Sequence, residues 1–158
     1  MKILRGPGNW KIVNLPQDFR PEVLLAFQMA CEECFRRDEY QLTSGHLVLG
    51  LIKGTYLRSA ECTADEWLRK GRLAIETLSA RDSDPEAPER RDLDSRNDYL
   101  IYITTAAQQG LRWLQNDSPA TPDAEDCSPN LERFLTQTRA SAECEGARVL
   151  AKLFPVSA

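Results

Sequence analysis

The sequence predicts an all-α fold. Apolar residues recur at three-and-four spacing along several stretches, which draws a stripe on a helix. The segment Ser59-Ala60-Glu61-Cys62, followed by Trp67 and Leu68, returns as Ser141-Ala142-Glu143-Cys144, followed by Val149 and Leu150. No stretch alternates for long with period two, and no Asn-Gly or Asp-Gly hairpin signal occurs.

The repeat extends upstream. Ala30-Cys31-Glu32-Glu33-Cys34 resembles Ala106-Ala107-Gln108-Gln109-Gly110, and Ser44 to Leu51 resembles Ser128 to Leu135. Three blocks in one order, at different spacings, predict two diverged copies of one helical unit with the insertions in loops.

Residues 1–18 hold Trp10, Ile12, Val13 and Leu15 among Gly6-Pro7-Gly8 and Pro16, so they are expected as an extended arm. Trp10 is its candidate contact residue. The first unit spans 19–79. Pro21 suits a first helical turn, and Val23, Leu24, Phe27, Ala30, Cys31, Cys34 and Phe35 place a helix over 21–37. Ser44 is the expected cap of a second helix carrying Leu47, Val48, Leu51 and Ile52, with Gly54 just past its end. Thr63 and Glu66 have capping-box spacing before a short third helix, and Gly71 is expected to separate it from a fourth over 72–78.

Residues 80–97, with Pro85, Pro88 and charges of both signs, are expected as a solvated linker. The second unit spans 98–158. It is expected to open with a helix over 98–114, followed by a loop over 115–127. Ser128-Pro129 starts a further helix, and a last one runs from Ala142 to Leu153 ahead of Pro155.

Hydrophobic residues make up 42% and charged residues 28% of the 158, enough to build a core and too apolar for disorder throughout. A net charge of −4 and no basic stripe oppose nucleic-acid binding. No apolar run is long enough for a signal peptide or a membrane span, so no membrane partner is expected and the cytoplasm is the expected compartment. Five cysteines scattered through helical blocks fit a reducing environment.

With the helix order in place, the first unit resembles the Clp N-terminal repeat, the double-repeat domain at the front of Hsp100 unfoldases. The family reads Phe-Thr-Pro, Ala-x-Glu-Glu-Ala, then Thr-Glu-His-Leu-Leu-Leu-Gly-Leu-Leu. Here stand Phe19-Arg20-Pro21, Ala30 to Cys34, and Ser44-Gly45-His46-Leu47-Val48-Leu49-Gly50-Leu51-Ile52, without a gap. In the second unit Glu145 to Leu153 is similar to the family's Ala-Ala-Arg-Val-Leu helix. The resemblance implies two pseudo-symmetric four-helix repeats packed as one domain. It also implies a binding role, receiving substrates or adaptors for an unfoldase ring. No G-x-x-x-x-G-K-[ST] loop is present and the chain ends at Ala158, so a recognition domain without its motor is expected. The family Glu that helps some members bind phosphoarginine is Gly45 here and Pro129 in the second unit, so that role is expected to be lost. The family His is His46, and Asn130 in the second unit.

The chemical motifs favour structure over catalysis. Cys31-x-x-Cys34 lies mid-helix, where packed thiols are expected, and a zinc site would need Cys62, Cys127 or Cys144 to converge on it. No orienting acid or oxyanion-hole motif accompanies His46, and Glu32 and Glu33 point in different directions on a helix. No metal, cofactor or catalytic residue is expected. The expected function is protein binding, as an adaptor or accessory subunit of a Clp unfoldase or protease. The expected contact surface is the groove between units near Ser44, Gly45, His46, Ser128, Pro129 and Asn130, with Trp10. The alternatives are a small-ligand or cyclic-peptide sequestering domain with an apolar pocket between the units, and a thiol-dependent enzyme with an exposed cysteine of depressed pKa.

Overall fold

Ser44–Lys53, here α2, is apolar nearly all round, and Ser44 to Ile52 are all buried. A helix of that composition belongs at the centre of a core, with other elements packed on each face. α1 (Leu24–Arg36), α3 (Ala64–Glu76), α4 (Thr105–Leu114) and α6 (Glu145–Leu153) all pack on it, and α5 (Leu131–Ala140) closes over α4 and α6. The computed structural model describes residues 5–6, 8–16, 21–87, 98–115 and 129–155, with backbone alone at 5–6, 8–11, 21, 98 and 99.

The closest approach is between α1 and α2. A Cβ on Gly50 would lie 2.3 Å from the Ala26 carbonyl oxygen and 2.9 Å from the Ala30 nitrogen. Small residues on α1 and a glycine on α2 therefore set the helix separation. The core is continuous from Val23 through Phe27, Leu47, Leu51 and Ile75 to Ile103, Leu111, Phe134, Val149 and Leu150, so both halves share it.

Side chains cap most helix starts. Thr63 and Glu66 form the expected capping box of α3. α2 is capped by Thr43, not by Ser44, in a capping box whose third residue is His46. Thr104, Asn130 and Cys144 cap α4, α5 and α6.

The fold is helix-rich, but the expectation of no strands is overturned. β1 (Arg5–Gly6), β2 (Gly8–Val13), β3 (Gln41–Leu42) and β4 (Asp98–Ile103) form a four-stranded sheet in the order β1, β2, β4, β3. β2 runs parallel to β4 with Asn9 opposite Asp98 and Val13 opposite Tyr102, and β3 joins the other side of β4 with Gln41 opposite Tyr102. The expected arm is thus a paired strand, and Ile12 and Leu15 pack against the core. The helix expected over 98–114 is a strand followed by a helix. Its first part, Tyr99-Leu100-Ile101-Tyr102-Ile103, is aromatic and β-branched, and a strand buried on both faces loses the alternation that marks a half-exposed one.

The fourth helix expected over 72–78 is also corrected. α3 continues through Gly71, because the missing Cβ is needed for contact: one built there would sit 2.6 Å from Leu49 Cδ2. The described residues hold six helices, three in each half, where the resemblance implies eight. Both copies of the repeated segment lead into the third helix of their half, Ser59–Cys62 before α3 and Ser141–Cys144 before α6. Among the described residues no helix is long and apolar enough to cross a membrane.

Gly50→Ala is expected to destabilise the protein by at least about 1–3 kcal/mol, the usual range for forcing volume into a packed contact. A urea midpoint equal to that of the parent would mean that α1 and α2 separate without cost.

Candidate functional site

The N-termini of α2 and α6 meet in a buried polar seam. A Cβ on Gly45 would fall 2.3 Å from Glu145 Oε2, so glycine is the residue that lets the Glu145 carboxylate lie against α2. The Gly146 N–H donates to Ser44 Oγ at 2.8 Å. Asp82 bridges the two helix starts: Oδ2 accepts from the Ser44 N–H at 2.8 Å and its hydroxyl at 2.5 Å, and Oδ1 accepts from the Glu145 N–H at 2.8 Å. One carboxylate thereby answers the unpaired N–H groups and positive dipole ends of two helices.

Glu145 is 1% exposed and accepts from the Thr43 hydroxyl and from Arg81 Nε. Burial pulls its carboxyl above the usual range, while Arg81 and Thr43 pull the other way. Arg81 also reaches Glu39, with Nη1 to Oε1 at 3.1 Å and Nη2 to Oε2 at 2.9 Å. Burial pushes the Glu39 carboxyl up, but hydrogen bonds from Arg81 and Arg37 outweigh it and hold the group below its ordinary value.

His46 is fully buried. Its Nδ1 accepts from the Thr43 N–H at 3.0 Å, which leaves the proton on Nε2, 3.8 Å from Glu39 Oε2. Desolvation, only partly offset by Glu39, pushes its pKa down to about 4, so the ring is neutral. A second buried carboxylate, Glu33, is held by Arg72 through bonds of 2.7 and 2.9 Å and ties α1 to α3. The Cys31 and Cys34 thiols are buried, and desolvation pushes Cys31 up, away from thiolate chemistry. Among the described residues no group of three or more His, Cys, Asp and Glu could hold a metal ion.

These placements move the expected contact surface. Ser44, Gly45 and His46, expected at a contact surface, lie buried in the seam, where they face Asp82, Glu145 and Glu39 respectively. Pro129 is buried, and Asn130 caps α5 by accepting from the Arg133 N–H at 3.1 Å. Ser128 and Cys127 lie outside the described residues, and for Trp10 the structure gives only its backbone in β2. Sequence reasoning missed Arg81, Asp82 and Glu145. Their charges read as solvated, and the only pointer was the placement of Glu145 directly after the repeated segment.

A groove of about 800 Å³ opens between α3 and the end of α6. Trp67 and Phe154 meet edge-to-face in it at 5.3 Å, and Leu73, 58% exposed, stands at its side with Leu153. Lys70 and Lys152 also line it. A smaller cavity of about 400 Å³ lies between Ser44, Asp82 and Asp84 on one side and Ala106, Gly110 and Trp113 on the other.

No family model, curated protein or solved structure matches this chain. Two features bear on its function: a buried seam whose charged groups pair with one another, and an open groove lined by apolar side chains with Lys70 and Lys152.

The seam has a pH signature. Between pH 6.5 and about 4 the unfolded chain takes up a proton that folded His46 refuses, so stability falls as pH drops through that window. The full loss is roughly 3 kcal/mol. The raised Glu145 works in the opposite sense, its contribution being present at low pH and lost as pH rises through its folded value. His46→Asn, which keeps an acceptor for the Thr43 N–H and cannot titrate, is expected to flatten the slope of stability against pH between 6.5 and 4.5. An unchanged slope in urea melts across that range would show that His46 is not the source.

Proposed function

We propose that this protein is a non-catalytic, protein-binding domain of the Clp N-terminal type, acting as an adaptor or accessory subunit of a Clp unfoldase or protease. The groove between α3 and α6 carries this reading. It lies between the two halves and keeps large apolar side chains accessible. The gap-free likeness of Pro21, Ala30 to Cys34 and Ser44 to Ile52 to the Clp repeat supports the choice of partner, as does the placement of the repeated segment before α3 and α6.

The polar seam supports a structural role for residues that could otherwise look catalytic. His46 is neutral with Nδ1 occupied, Glu145 and Glu39 are held by Arg81, and Cys31 is driven away from the thiolate. The acid that the Clp motif would place at position 45 has a spatial substitute in Glu145, but Arg81 already occupies it. That occupancy argues against capture of an external guanidinium. A second reading, sequestration of a small apolar ligand, draws on the same groove, whose volume lies in the range of ligand pockets.

The test is capture on the immobilised protein from its own cell extract, with and without a slowly hydrolysed ATP analogue. Enrichment of a Clp ATPase, protease ring or Clp adaptor is expected. Leu73→Glu is expected to weaken it about tenfold or more, since covering one leucine contributes roughly 1.5–3 kcal/mol. Recovery of no Clp component in either condition overturns the accessory role.

A further inference from the structure

We infer that the α3/α6 groove receives the C-terminal end of another protein chain: apolar last residues on the Trp67–Phe154 floor, and the free α-carboxylate between Lys70 and Lys152. This deepens the protein-binding reading and rests on it.

The argument begins with unspent charge. Lys53, Arg36, Arg37, Arg72 and Arg81 each hold a carboxylate. Lys70 and Lys152 have no carboxylate among the described residues. Lys70 Nζ lies 3.3 Å from the Cys62 sulfur, and Lys152 Nζ donates to the Thr77 hydroxyl at 2.6 Å and its carbonyl at 3.3 Å. Two ammonium groups and one carboxylate, that of Glu61, line the groove, which leaves it net positive on a chain whose net charge is −4. Beside them Arg139 stands 5.5 Å over the Phe154 ring. The Trp67 indole N–H is buried and has no hydrogen-bond partner among the described residues.

An occupant must therefore bring an anion together with apolar surface. An internal peptide segment brings an anion only where it carries Asp or Glu, whereas a chain terminus holds its carboxylate on the backbone, directly beside its last apolar side chains. A fatty acid brings both, but it has no N–H donor for the Glu61 carboxylate that also lines the groove. A chain terminus meets all three demands, and about 800 Å³ accommodates its last few residues.

The full chain is mixed with a ten-residue synthetic peptide ending Leu-Phe as the free acid, with the same peptide as its C-terminal amide, or with decanoate. Binding is read by anisotropy of a label at the peptide's N-terminus and by protection of Cys62, which lines the groove, from alkylation as followed by mass spectrometry. The acid is expected to bind at least about tenfold tighter than the amide and to slow Cys62 alkylation. The Lys70→Gln, Lys152→Gln double variant is expected to abolish that preference while keeping a parental circular dichroism spectrum and melting temperature. Equal binding of acid and amide, an unchanged preference in the double variant, or protection of Cys62 by decanoate but not by the peptide overturns the inference. The two levels separate cleanly. Capture of a Clp component without acid preference leaves the accessory role and removes this ligand, whereas acid-specific binding without Clp capture keeps the ligand and removes the role.

Discussion

Glu145 is a carboxylate held out of water at the start of a helix, and the arrangement of both halves follows from what it needs. A buried charge without a partner costs several kcal/mol, so its surroundings are constrained more tightly than an apolar contact would be. Arg81 has to reach it, position 45 has to lack a Cβ, and Thr43 has to turn its hydroxyl inward. The neighbours of Arg81 are then fixed with it. Asp82 binds the starts of α2 and α6, and Asp84 accepts from the Thr105 N–H at the start of α4 and from the Tyr102 hydroxyl on β4. What reads as a connector in the sequence is a clasp in the structure.

Much of the helical layout was legible from residue pattern. The stripe from Val23 to Cys34, the capping box at Thr63 and the stop before Pro155 depend on local chemistry, and local chemistry is what a sequence displays. β4 was not legible, because a strand covered on both sides shows a solid apolar run that a buried helix would show as well. The aromatic and β-branched content of Tyr99 to Ile103 was the signal that distinguished them. Gly71 misled for a related reason. A glycine inside a helical pattern reads as a break, yet here it is the point where α3 presses on α2.

The site was legible in part. Ser44, Gly45 and His46 stood out through their resemblance to a repeat motif, and the structure places all three in the seam. Their burial was not visible, because it depends on Arg81, Asp82 and Glu145, which are distant in the chain and carry charges that usually face water. The groove was harder still. Trp67, Leu73 and Phe154 each look like ordinary core or surface residues, and only the meeting of α3 with the end of α6 makes them neighbours. A groove made where two halves of a chain meet is a property of their packing, which a stripe along one helix does not encode.

The parallel pairing of β2 with β4 bears on how the chain acquires its shape. β4 lies between two strands of the first half, β2 and β3, so β3 has no sheet partner, and β2 only the two residues of β1, until residue 98 and those after it exist. On the ribosome, the first half emerges with α1, α2 and α3 ready to collapse and the place between β2 and β3 vacant. Pairings across such a separation are slow, since loop-closure entropy is paid before the contacts form. Until then α2, whose every face is meant to be covered, lacks α4 and α6. The half-made chain therefore displays its stickiest helix for as long as the second half takes to arrive, which is a condition that invites chaperones.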